Sequence, residues 1–88
     1  MLKISAVTSS EQRITLRLDG QVTGAWVELL RNCSEMLLEL GVRLRLDLTN
    51  VSFVDREGLA LIKSLMGRGI QHTNIPPFVA EQLRSGAP

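Results

Sequence analysis

Eighty-eight residues, 44% of them apolar and 22% charged, leave room for one small hydrophobic core and no second one. A net charge of +1, with one Trp, two Phe and no Tyr, supplies neither the cationic footprint nor the stacking surface of a nucleic-acid binder. Cys33 is the sole cysteine, which excludes an internal disulfide and a thiolate metal cluster, and no apolar run approaches the roughly 20 residues that span a bilayer.

The opening MLKISAVTSS lacks the apolar core and cleavage pattern of a secretory signal, so a soluble, cytoplasmic chain is expected. Residues 1–88 are expected to form a single domain, with its core at about 2–84 and a flexible tail at 85–88.

In chain order, Leu2, Ile4 and Ala6 share one parity, with Lys3 and Ser5 on the other. After the turn-rich TSSE, Ile14, Leu16 and Leu18 alternate with Thr15, Arg17 and Asp19. This period of two predicts a pair of strands joined as a hairpin, the second ending at Asp19-Gly20. From Gly24 the period changes. Trp26, Leu29, Leu30, Cys33, Leu37 and Leu40 fall on one helical face, opposite Glu28, Asn32, Glu35 and Glu39. Thr23 is the expected N-cap and Gly41 the stop, while Val27 and Leu38 lie off the main stripe, as rim core or contact surface.

Alternation returns in VRLRLDL, with Val42, Leu44, Leu46 and Leu48 inward and Arg43, Arg45 and Asp47 outward. A second helix is expected from about Arg56 to Met66, with Leu59, Ile62, Leu65 and Met66 facing the core. GRG ends it. IQHTNI then reads as a weak edge strand, and Pro76-Pro77 opens a short helix over PFVAEQLR. The order is β-β-α-β-α-β-α. Parallel right-handed crossovers then require an α/β fold, a small mixed four-stranded sheet with its helices packed on one face.

Candidate chemistry is sparse. Asp55 and Glu57, at the strand-to-helix junction FVDREGL, invite an acid–base pair, but exposed N–H groups and the macrodipole favour acids at any helix start. No phosphate-binding loop, dinucleotide fingerprint or metal-ligand spacing is present, so no catalytic residue, metal or cofactor is expected. Lys3, Arg17, Arg43 and Arg45 read as a solvated sheet face, His72 as a surface residue and Cys33 as a small core residue. The same junction is a natural anion site through its helix N-terminus, and a phosphoryl group there would change docking.

LRLDGQVTGAWVELL, RLRLDLTNVSFVDREGLALI and PPFVAEQL together resemble the STAS domain family, over roughly residues 12–84. The resemblance is most specific from Leu44 to Ile62. In anti-sigma factor antagonists of that family the corner reads Asp-Ser-Ser-Gly, and a partner that is both anti-sigma factor and kinase phosphorylates the second serine. Here Asp55 and Gly58 match, while Arg56 and Glu57 replace the serines, and Thr23 stands where aspartate is common. The resemblance implies a non-enzymatic module that docks a partner through Thr23, Asp55, Arg56, Glu57, Gly58 and Leu59. Glu57 at the phosphoserine position has no hydroxyl, so the switch is expected to be lost there.

Two further readings come from the same family. Standalone STAS subunits of bacterial ABC phospholipid-transport systems resemble the chain in length and in the V-D-x-x-G-L-A-L corner, which implies an ABC ATPase as partner. Nucleotide or small-anion sensing is the third reading. The sequence leaves the oligomeric state open.

Overall fold

The computed structural model describes residues 1–10 and 12–85; Glu11 of the expected turn and residues 86–88 of the expected tail lie outside them. Its elements are β1 (Leu2–Ser10), β2 (Arg13–Val22), α1 (Ala25–Glu39), β3 (Arg43–Val54), α2 (Arg56–Gly67), β4 (Gln71–Thr73) and α3 (Pro77–Ser85). The sheet order is β1-β2-β3-β4, with β1 antiparallel to β2 and the other two pairs parallel. This is the mixed four-stranded sheet and element order expected from the alternation. Among the described residues no helix is long and apolar enough to cross a membrane.

The inward residues Leu16, Leu18, Leu44, Leu46 and Leu48 form one cluster with Val27, Leu30, Leu61, Ile62, Leu65 and Val79 from the helices. Each fully buried side chain of this kind contributes about 1.5–3 kcal/mol.

Four sequence expectations need correction. First, Asp19-Gly20 does not end β2, which continues to Val22. The pairing with β3 shifts register at Arg17/Asp19 and again at Gly20/Gln21, and Gly20 takes φ +113°. A glycine in that conformation bends and realigns a strand without breaking it. The shifts also change the parity of β3, whose inward series runs Leu44, Leu46, Leu48, Val51, Val54. β3 runs for twelve residues, past the regular alternation of VRLRLDL, to the junction at Val54.

Second, α1 is rotated from the expected stripe. Val27, Leu30 and Ser34 are buried, whereas Leu29 and Leu40 are 48% and 72% exposed. Apolar residues occupy more than half the helix circumference, so periodicity alone does not fix which arc meets the sheet. Cys33 is accordingly half-buried and lies at the margin of the core. Third, Leu61 joins Ile62 and Leu65 inside, while Leu59 and Met66 only flank the core. Fourth, the last strand is shorter than IQHTNI, three residues at the sheet edge.

Ser34 is fully buried and its hydroxyl oxygen has no hydrogen-bond partner. A desolvated, unpaired hydroxyl is a cost, and alanine is the better helix former. Ser34→Ala is therefore expected to stabilise the fold by about 0.5–1 kcal/mol, read as a higher denaturation midpoint at unchanged slope. A loss of stability would mean that the hydroxyl has a partner after all.

Candidate functional site

β2 and β3 run parallel and finish side by side, Val22 opposite Val54. The segments leaving them for α1 and α2 therefore start from one corner of the molecule. Asp55 sits at its centre, extended at φ −83°, ψ −177°, with its N–H donating to the Val22 carbonyl at 3.2 Å.

The Asp55 side chain serves both helices. Oδ1 accepts from the Gly58 N–H at 2.7 Å, which caps α2. Oδ2 accepts from the Gly24 N–H at 3.0 Å, and Gly24 is the cap residue of α1. Thr23 is thus not the cap expected from the sequence: the cap residue Gly24 has no side chain to offer, and Thr23 contributes its carbonyl, which accepts from the Trp26 N–H at 3.0 Å. The cap is supplied across the corner, from the other helix. Asp55's carboxyl is held below the usual aspartate range, first by the Gly58 N–H and then by the Gly24 N–H, against a smaller opposing effect of desolvation.

Gly58 is buried where α2 meets the strand ends. A Cβ there would fall inside van der Waals contact with the Val22 carbonyl oxygen and 3.0 Å from Cγ1 of both Val22 and Val54. Glycine is needed at this position for close approach, independently of φ.

Of the residues singled out in the sequence, the corner brings together Thr23, Asp55, Arg56, Glu57, Gly58 and Leu59. Arg56 and Glu57 are exposed on the first turn of α2, Thr23 and Leu59 are half-buried, and Gly58 is inside. The helix starts do not present open anion sites, because the Gly24 and Gly58 N–H groups already point at a carboxylate. The neighbouring hydroxyls are also engaged. Thr49 Oγ1 donates to Asp47 at 2.5 Å and Ser52 Oγ to the Gly20 carbonyl at 3.2 Å.

Two corner residues escape a reading of the sequence. Gly24 matters through its N–H, which leaves no side-chain signal. Phe53 is 51% exposed beside the corner, and its signal is a large aromatic on the outward side of a strand whose neighbour Val54 is buried. Among the described residues no three His, Cys, Asp or Glu groups are placed to hold a metal ion.

No family model and no curated protein matches the sequence. Solved structures do match. The anti-sigma factor antagonist SpoIIAA in its unphosphorylated form aligns over 96% of this chain and 81% of its own, with a TM-score of 0.72 at 19% identity. An uncharacterized DUF3478-family protein with a SpoIIAA-like fold, from Shewanella loihica PV-4, aligns over 76% of this chain and 56% of its own, with a TM-score of 0.57 at 15% identity. At such identities the likeness establishes the fold: a STAS-like mixed sheet carrying three helices.

Proposed function

We propose that the chain is a non-enzymatic interaction module that docks a regulatory protein through the corner formed by Thr23, Gly24 and Asp55–Leu59. The observation that supports this most is the corner itself, on the fold of an anti-sigma factor antagonist. Asp55 ties two helix starts to one strand end, so Arg56 and Glu57 are presented to solvent on a rigid support. Rigid presentation lowers the ordering cost of docking.

The partner class that the fold favours is an anti-sigma factor of the kinase-like ATPase type. Glu57 stands where the resemblance places the phosphoacceptor serine. Its single fixed charge is smaller than the −1.5 to −2 or so of a phosphate, and it cannot be removed by a phosphatase. Docking here is therefore constitutive, and Thr49 and Ser52, bonded to Asp47 and Gly20, are poor substitutes as phosphoacceptors. Nucleotide sensing at the corner is less favoured, since Asp55 fills the N–H groups that would meet a phosphate and Glu57 adds repulsion beside them.

Purification of the tagged chain from its native cell identifies the partner. A kinase-like ATPase is the expected result; an ABC ATPase would select the transport-subunit reading instead. With the purified partner, Glu57→Lys is expected to weaken the complex on the order of tenfold, about 1.4 kcal/mol. Unchanged affinity across Arg56→Glu, Glu57→Lys and Leu59→Ala, measured by calorimetry, removes the corner as the docking surface.

A further inference from the structure

We propose that the end of the sheet opposite the corner binds a small amphiphilic anion, a carboxylate on a short apolar chain, in a hollow with an arginine rim and an apolar floor. The hollow lies at the starts of β2, β3 and β4, on the order of 30 Å along the strands from Asp55.

Parallel pairing makes Arg13 the register partner of Arg43 where β2 and β3 begin. Like charges side by side on neighbouring strands repel, and an anion set against both relieves that repulsion. Arg68, just past the end of α2, brings a third guanidinium. The three border a hollow of about 360 Å³ whose floor includes Val42, Leu44 and Ile70. Leu44 and Ile70 are buried and Val42 is half-buried, so the floor is part of the core's own margin. A volume of this size suits a small ligand with an apolar body. Among the described residues no acidic side chain lines it.

The acids of the outward sheet face stand nearer the corner. Asp19 is paired with Arg17 at 3.8 Å, and Asp47 is the register partner of Arg17. At the rim, Glu35 engages Arg68 through Nη1, and Arg13 holds contacts of its own. A guanidinium has five N–H donors, so these contacts leave donors for a ligand. With part of the rim's charge already matched, a singly charged head fits better than a multiply charged one, and the planar guanidinium fork matches a carboxylate's two oxygens. Arg45, the next outward residue of β3, extends the basic border. Its Nη2 donates at 3.1 Å to Oε1 of Gln71, which lines the hollow, while its Nε is buried with no hydrogen-bond partner. The border thus keeps a donor that the protein itself does not satisfy.

Helix C-termini ordinarily oppose an anion, and both α1 and α2 end here. Each closes with the same turn. Gly41 and Gly69, at φ +79° and +85°, donate to the Leu38 and Met66 carbonyls, both at 3.0 Å. Val42 and Ile70 follow, donating to the Leu37 and Leu65 carbonyls at 3.1 and 3.2 Å. The last carbonyls are therefore engaged by the chain's own N–H groups, and the two residues that close the turns supply the apolar floor.

Amide nitrogen-15 spectra of the full chain titrated with octanoate are expected to show Arg43, Ile70 and Gln71 shifting together, with a Kd below about 1 mM. Octanol, which lacks the charge, and acetate, which lacks the chain, should each bind on the order of tenfold more weakly. Arg43→Gln should weaken octanoate binding by about tenfold at an unchanged unfolding midpoint, since Arg43 is exposed. Octanoate that does not saturate, or that shifts amides elsewhere only, overturns the proposal. Equal binding of octanol would reduce the hollow to an apolar dimple, and equal binding of inorganic phosphate to a patch of charge; either overturns the amphiphile. Binding to phosphatidylglycerol vesicles without binding of free octanoate would make the rim a membrane contact and overturn it likewise. None of these residues belongs to the corner, so failure here leaves the docking reading standing.

Discussion

Gly58→Ala is expected to destabilise the fold by about 2–4 kcal/mol, against the ordinary gain of about 1 kcal/mol for that change inside a helix. The reversal of sign comes from what surrounds the position. The added methyl group meets the Val22 carbonyl oxygen, with Cγ1 of Val22 and Val54 at 3.0 Å on either flank. The oxygen is backbone, and it accepts from the Asp55 N–H at 3.2 Å, so it cannot retreat without loosening the corner. Overpacking against backbone costs more than overpacking against a side chain that has another rotamer.

The same helix holds a control. Gly67 has nothing within 4 Å of its Cβ position, so Gly67→Ala should be neutral or stabilise by up to about 1 kcal/mol. Urea unfolding of both variants reads the contrast as midpoints moving in opposite directions at a common slope. If Gly58→Ala were also neutral, the close approach of α2 to the strand ends would be refuted. The resemblance marks Gly58 as matching a family glycine; its packing shows that the requirement is steric, which holds whether or not a partner binds.

How far the sequence reveals this molecule depends on whether a feature is local. Alternation in β1, β2 and the first half of β3 follows from inward Leu16, Leu18, Leu44 and Leu46, and it led to the correct sheet and crossover pattern. Features set by a second segment stayed hidden. Thr23 has the right chemistry for an N-cap, but Asp55, 31 residues later, reaches the Gly24 N–H instead. Gly20 reads as a strand end because glycine at positive φ serves turns and bulges alike, and only the continuing partner strand decides between them. On α1 the apolar arc is wider than the sheet can cover. For that reason the period puts Leu29 on the main stripe and Val27 off it, whereas the fold buries Val27 and leaves Leu29 half exposed. In the candidate site, the types Asp55 and Gly58 were legible and the double cap was not.

Asp55→Ala is expected to cost about 2 kcal/mol, close to 1 kcal/mol for each of two helix caps, with partial exposure keeping each bond at that modest value. Asp55→Asn retains an acceptor for one N–H and turns an amide donor toward the other, so most of the loss should remain. The pH dependence separates this from simple loss of packing. Asp55's carboxyl titrates lower in the folded chain than its ordinary value of 3.8. A depressed folded value means that the ionised form's contribution is complete above the unfolded value. It is then lost as pH falls from there through the folded value. The stability difference between wild type and Asp55→Ala should therefore be level from neutral pH to about pH 5 and shrink below about pH 4. Asp47, also lowered chiefly by its Thr49 hydroxyl bond, adds acid sensitivity of its own. Because both proteins keep Asp47, that part cancels in the difference. Calorimetric or urea-derived stabilities across this range provide the measurement. A difference that stays constant into acid would show that Asp55 acts through shape alone, and the same carboxylate would then not be what fixes the two helix starts beneath Arg56 and Glu57.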